Sequence, residues 1–261
     1  MKLSVSGISF RYNSHPVLKG VSFDLPGGCV LGVLGRNGAG KSTLLKCLNR
    51  ILCPKAGTVY LADNDILNLD RRQVARYFGY VPQTSDYSTL TVFDAVLLGR
   101  KPYIQWAPAS GDFQRVEEIL NTLELKHLAL RPVHQLSGGE LQKVTIARAL
   151  AQDPKVLLMD EPTSNLDFKN QLEIVNLLSH AVRQQGLSAV VSVHDINLAF
   201  RFADYFLFLD QGAVYACLPR AEVTCEMIKA VYDVNVLMRH IAGHTVIIPM
   251  ESDKETLHAK T

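Results

Sequence analysis

The chain has 261 residues, 48% of them hydrophobic and 20% charged, with a formal net charge of +2. That length and apolar fraction allow a sizeable buried core, and one large α/β unit is the economical reading. Lysines and arginines are scattered rather than gathered into a basic stripe, so nucleic acid is excluded as a partner. The longest apolar runs, such as Cys29–Gly35 and Ser188–Val193, fall far short of the ~18–20 residues needed to span a bilayer, so any membrane association must run through another protein.

Taken in chain order, Leu3–Tyr12 and Val21–Leu25 alternate apolar and polar residues as half-buried strands do. The opening stretch therefore reads as a strand rather than an export signal. The turn Pro26-Gly27-Gly28 leads into the continuous apolar run Cys29–Leu34, expected to be a strand buried on both faces. A glycine-rich loop then opens a helical pattern over Lys41–Leu52. Gly57–Leu61 reads as a strand, Asp70–Phe78 as a short helix and Tyr80-Val81-Pro82 as a strand end.

From Thr91 to Ala151 the periodicity is helical, over Val92–Leu98, Phe113–Leu125 and Glu140–Ala151. Strand and helix patterns then alternate: Val156–Met159, Asp167–Gln185, Ser188–Val193, Ile196–Phe202 and Tyr205–Leu209. This order predicts a largely parallel sheet covered by helices, preceded by an antiparallel β region and interrupted by a helical insertion at about residues 86–152. Residues 1–235 form one unit on this reading. Residues 236–261 follow as a small hairpin, Val236–Ile241 and Thr245–Ile248 around Ala242-Gly243, with a polar tail. Five cysteines without a CxxC pair suit a reduced environment.

Three motifs carry chemistry. Gly35-Arg36-Asn37-Gly38-Ala39-Gly40-Lys41-Ser42 is a phosphate-binding loop between an apolar strand and an amphipathic helix, the context that gives the motif its meaning. Its glycines, Gly35, Gly38 and Gly40, let successive N–H groups and the positive helix end face phosphate oxygens. Lys41 would reach the β- and γ-phosphates, the Ser42 hydroxyl would ligate Mg²⁺, and Asn37 and Thr43 complete the nucleotide-binding set.

The strand Val156–Met159 ends in Asp160-Glu161, two carboxylates at the edge of the sheet where α/β proteins bind ligands. Asp160 is assigned to Mg²⁺, and Glu161 to polarising or deprotonating an attacking water. Third, in Leu136-Ser137-Gly138-Gly139-Glu140, Ser137 and Glu140 have capping-box spacing, and the glycines leave N–H groups open to an anion.

With this third motif downstream of a phosphate loop, the chain resembles the ATP-binding subunits of ABC transporters, whose core is a RecA-like P-loop NTPase fold. The resemblance implies that Ser137, Gly138 and Gly139 bind the γ-phosphate of ATP held by a second copy of the chain, so that two MgATP are sandwiched in a homodimer. It implies an adenine-stacking role for Tyr12 and, for Gln83, contact with Mg²⁺ and water together with sensing of the transmembrane partner. Ser164-Asn165-Leu166-Asp167 resembles the loop that links the two sites, although Asn165 stands where alanine or glycine is more usual. His194 resembles the switch histidine on the γ-phosphate.

The segment Leu90–Tyr103, with its Gly99-Arg100-Lys101-Pro102 stretch, further resembles the ATPases of importers for ferric siderophores, haem and vitamin B12, as does the compact region after Met227. Two polytopic permease subunits, an extracytoplasmic binding protein and a place on the cytoplasmic face of the membrane are then implied. An importer of free metal ions or another small nutrient stays open as an alternative. A soluble ABC ATPase of DNA repair or translation would carry a long coiled-coil insertion or tandem cassettes, and a GTPase an Asn-Lys-x-Asp motif.

Overall fold

The structure, a computed structural model, describes residues 1–84, 89–164 and 166–250. The Asn165 departure, the polar tail at 251–261 and the start of the helical insertion near residue 86 lie outside the described residues.

Two sheets organise the chain. The first is antiparallel, in the order β2-β1-β4-β5, from β1 (Leu3–Tyr12), β2 (His15–Leu25), β4 (Ala56–Leu61) and the two-residue β5 (Asn64–Asp65). The second has the order β10-β9-β3-β8-β7-β6, from β3 (Val30–Leu34), β6 (Phe78–Val81), β7 (Val156–Asp160), β8 (Ser188–Ser192), β9 (Tyr205–Asp210) and β10 (Ala213–Pro219). Within it β9, β3, β8, β7 and β6 run parallel, and β10 returns antiparallel along β9. Every residue of β3, β7 and β8 is buried. Strands covered on both faces need no polar alternation, which is why they read as unbroken apolar runs.

Helix α1 (Lys41–Leu48) follows β3 and ends earlier than its apolar pattern predicts, with Arg50 in a left-handed conformation at φ 53°. Helix α2 (Arg71–Tyr77) is capped at both donors: Asp70 accepts from the Gln73 N–H, and Gln73 returns the bond to the Asp70 N–H. Phe78, expected in this helix, instead opens β6, because pairing Phe78 with Val156 aligns the two strands in register. The helical region contains α3 (Val92–Leu97), α4 (Ser110–Thr122) and α5 (Gly138–Leu150). Val92, Val96, Val116, Leu120 and Val144 pack there into a core continuous with Leu157 and Met159 of β7.

The segment after α3 ties this region to the sheet. Arg100 is mostly buried and bonds Asp112 at 2.9 Å, Asp153 at 2.6 Å and the Ala151 carbonyl at 2.8 Å. Tyr103 lies between the Arg76 and Arg100 guanidinium groups, 5.1 and 4.1 Å from its ring centre, while Arg72 and Arg76 of α2 donate to the Pro102 carbonyl. The Ala109 N–H and the Arg100 guanidinium hold the Asp112 carboxyl below the usual carboxylate range, against the upward pull of its burial. A carboxyl lowered in the folded state contributes stability in full above its unfolded value of about 3.9 and loses it as pH falls through the lower folded value. Asp112→Asn is therefore expected to flatten the acid limb of a plot of Tm against pH relative to wild type while the neutral limb keeps its slope.

Beyond the second sheet lie α6 (Phe168–Gln185), α7 (Ile196–Phe202), α8 (Cys225–Tyr232) and a hairpin of β11 (Val236–Ile241) with β12 (His244–Pro249). The Asn197 amide on α7 grips this hairpin as a neighbouring strand would: its Oδ1 accepts from Ile247 N–H at 2.7 Å and its Nδ2 donates to the Ile247 carbonyl at 3.0 Å. Ile247 is only 3% exposed. Asn197→Ala would leave that buried peptide unpaired and is expected to cost ~1–3 kcal/mol, read as a fall in the urea midpoint.

Candidate functional site

Parallel register brings the motifs together. Val33 of β3 pairs with Ser192 of β8, Ser192 with Asp160 of β7, and Met159 of β7 with Val81 of β6. The carboxyl ends of four neighbouring strands therefore release, side by side, the glycine-rich loop, His194, the Asp160-Glu161 pair and Gln83. A cleft of about 390 Å³ opens there, walled by Val17, Asn37, Gly38, Gly40, Lys41, Ser42, Thr43, Gln83, Glu161 and His194.

The loop is held in a shape that needs glycine. Gly35 has φ 153°, and a Cβ there would meet the Leu209 carbonyl oxygen at 2.3 Å; Gly40 has φ 103° and lies against Leu18 and Val17. Lys41 is 5% exposed and donates to the carbonyls of Gly35 at 2.8 Å and Arg36 at 3.3 Å. Burial pushes its ammonium down from the ordinary lysine range, while the Glu161 and Asp160 charges pull it back up.

The acidic pair is anchored from β8. Asp160 Oδ1 accepts from the hydroxyls of Ser42 and Ser192, both at 2.8 Å, and Tyr80 OH lies 3.5 Å from Oδ2. The Ser192 hydroxyl in turn accepts from the Glu161 N–H at 2.9 Å. Glu161 has φ 50°, a left-handed conformation costly for a residue with a side chain and typical of functional positions, at about 1–3 kcal/mol. Ser164 closes the turn, donating from both N–H and hydroxyl to the Glu161 carbonyl. Both Glu161 carboxylate oxygens face partners: Gln83 Nε2 donates to Oε2 at 2.8 Å, and His194 Nε2 lies 2.5 Å from Oε1.

Ser42 and Asp160 are hard oxygen donors of the kind Mg²⁺ takes alongside phosphate oxygens and water. Among the described residues no group of three or more His, Cys, Asp or Glu could hold a metal by itself. The pair thus fits an ion that brings phosphate ligands with it.

Gly35 and Asp160 are not among the cleft walls, and two further sets of expected site residues also stand outside them. Tyr12 is exposed at the end of β1, its ring meeting Phe10 edge-on at 4.8 Å, and Val17 of β2 lines the cleft near it. Ser137 and Gly138 are exposed at the start of α5, and Gly139 next to them is buried. The expected capping box is present: Glu140 accepts from the Ser137 N–H and hydroxyl, both at 2.8 Å, and these bonds hold its carboxyl below the usual range. Gly138 is exposed, and a Cβ on Gly139 would meet the Asn170 side chain of α6 at 2.4 Å. Ser192 and Tyr80 were not singled out from the sequence. The available signal for Ser192 is a serine closing a short, fully buried strand two residues before His194.

A phosphate-binding loop on a buried parallel strand, with an acidic pair ending the second strand along, defines a phosphate-loop nucleoside triphosphatase. The ABC transporter family model matches residues 18–164, and the chain belongs to that family as an ATP-binding subunit, an ATPase coupled to transport. It is 48% identical to an uncharacterised ABC transporter ATP-binding protein of Methanocaldococcus jannaschii, over 96% of this chain and 98% of that one. It is 38% identical to the hemin import ATP-binding protein of Bordetella parapertussis, over 90% and 93% of the two chains. A solved structure described as a metal-chelate-type ABC transporter in an inward-facing conformation superposes with TM-score 0.83 at 32% identity, covering 95% of this chain and 97% of the other. A dimeric ATP-binding cassette bound to ADP and Pi superposes with TM-score 0.73 at 30% identity, covering 84% and 98%.

Proposed function

We propose that this chain powers the import of a metal chelate, of the hemin, ferric siderophore or cobalamin class, by ATP-dependent closure of a homodimer beneath two polytopic permease subunits. Hydrolysis at Glu161 is supported most directly by one observation: its carboxylate, strained into the cleft, is held at one oxygen by Gln83 and at the other by His194.

In this reading Lys41 leaves the Gly35 and Arg36 carbonyls for the β- and γ-phosphates, and the loop N–H groups take the remaining oxygens. Ser42 and Asp160, with Gln83, would hold Mg²⁺. Bound with ATP, the ion supplies positive charge against the phosphate oxygens. Tyr12 stacks on adenine. His194 turns from Glu161 to the γ-phosphate, which frees one carboxylate oxygen for the attacking water. The water oxygen bonds to the γ-phosphorus, its proton passes to Glu161, and the bond to the ADP oxygen breaks. The open N–H groups of Gly138 and Gly139, with Ser137, complete the γ-phosphate shell from the second copy. The exposure of Ser137 and Gly138 at the α5 terminus and the absence of all three residues from the chain's own cleft support this arrangement, as does the similarity to a dimeric cassette.

The chelate class rests on the Leu90–Tyr103 segment and on the hemin-import and metal-chelate relatives. The chain, tagged and drawn gently from its native membranes, is expected to bring a polytopic partner, and the complex in vesicles to take up an iron or cobalt chelate with ATP. A soluble complex without membrane subunits would overturn transport by this route. Uptake of free metal ions alone would overturn the chelate assignment.

A further inference from the structure

The region after β10 touches the nucleotide site at a point no motif announces. Tyr232 is the last residue of α8, and its hydroxyl accepts the Gly35 N–H at 3.0 Å across 197 residues of sequence. Pairing of β3 with β9 ends at Leu34 and Phe208, so the Gly35 N–H lies one residue past the sheet and depends on this hydroxyl. The Gly35 carbonyl takes the Lys41 ammonium, and the Leu209 carbonyl stands where a Cβ on Gly35 would be. Gly35 is therefore fixed on three sides, and Tyr232 is the one fixing group that comes from outside the sheet and the loop itself.

The element bearing Tyr232 is firmly seated. Thr224 caps α8 by accepting from the Met227 N–H, and Ile228 and Val231, 2% and 1% exposed, anchor it in the core with Phe206 and Phe208. Downstream, the hairpin is clamped by Asn197 on α7. That helix begins just after His194, with Asp195 as its cap. One continuous stretch thus holds the start of the phosphate loop at one end and the helix behind His194 at the other. Burial pushes the Tyr232 phenol above its ordinary range, against the pull of the Gly35 bond, consistent with a neutral hydroxyl acting as acceptor.

We propose that Tyr232 is a positioning residue for the ATP site: by holding the Gly35 N–H, α8 sets the phosphate loop in its nucleotide-ready shape. It contacts no reacting atom and acts through the loop. The proposal rests on the reading that Gly35–Ser42 receives the phosphates of ATP.

Tyr232→Phe keeps the ring and its packing and removes only the acceptor. In the full-length chain titrated with a fluorescent ATP analogue and Mg²⁺, the Kd is expected to rise roughly three- to tenfold, the range of one lost hydrogen bond. Deuterium uptake over residues 35–41 should rise with it, with a fall in Tm no larger than that of the control below. Ile228→Val is the control, loosening the same helix without touching Gly35; it is expected to lower Tm and leave the Kd within twofold. A Tyr232→Phe chain that binds within twofold of wild type would overturn the proposal, and so would an Ile228→Val chain weakened as much as Tyr232→Phe. A wild-type chain that fails to bind the analogue would defeat the phosphate-loop reading itself, a result distinct from both.

Discussion

Glu161→Gln is expected to lower kcat for ATP hydrolysis by ~10²–10⁴, the range over which a positioned general base acts, while ATP affinity stays near that of wild type. The amide is isosteric, so the backbone strain at φ 50° and the Ser192 bond to the Glu161 N–H are untouched. What changes is the site's ability to accept a proton. An amide can accept from only one of Gln83 and His194, where the carboxylate meets both. Single-turnover phosphate release, measured beside equilibrium nucleotide binding, separates the two effects. Hydrolysis at the wild-type rate would remove Glu161 from the chemistry and leave its two contacts as structure alone.

Ser137→Arg is expected to leave nucleotide binding by the isolated chain unchanged and to lower hydrolysis by ~10²–10³, the scale set by losing donors aimed at developing charge. The arginine would remove the Ser137 hydroxyl from the capping box with Glu140, at about 0.5–2 kcal/mol of helix stability. It would also place a long cation beside the exposed Gly138 at the helix start. Because Ser137 and the two glycines after it lie outside the chain's own cleft, a defect in hydrolysis with intact binding is the pattern expected if they serve a second copy. Loss of binding in the monomer would place Ser137, Gly138 and Gly139 in the chain's own site instead.

Much of this was legible in the sequence because the fold uses unambiguous local signals. The strands β3, β7 and β8 announced themselves by apolar runs that only double-sided burial explains, and the phosphate loop by glycines whose φ values the structure demands. The acidic pair followed from its place at a strand end. What escaped was set by long-range pairing. The β10 strand is apolar without alternation, only partly buried and closed by a proline, and it exists because β9 offers it an edge. His15–Gly20 joins β2 because β1 lies beside it. Phe78 left a plausible helix for β6 for the same reason.

Ser192, Tyr80 and Tyr232 belong to the site only through contacts spanning 32, 80 and 197 residues. Short motifs carry no trace of such contacts. Val17 likewise reaches the cleft wall through the β1–β2 pairing rather than through any sequence signature.

The central claim is that two copies of this chain close around two ATP molecules. The Glu161→Gln chain, incubated with Mg²⁺ and ATP and followed by sedimentation velocity with quantitation of bound nucleotide, tests it most directly. The account predicts a dimer that forms only with ATP, carries one nucleotide per chain and is absent when Ser137→Arg is added to the same chain. A species that stays monomeric with saturating ATP bound would contradict the shared site.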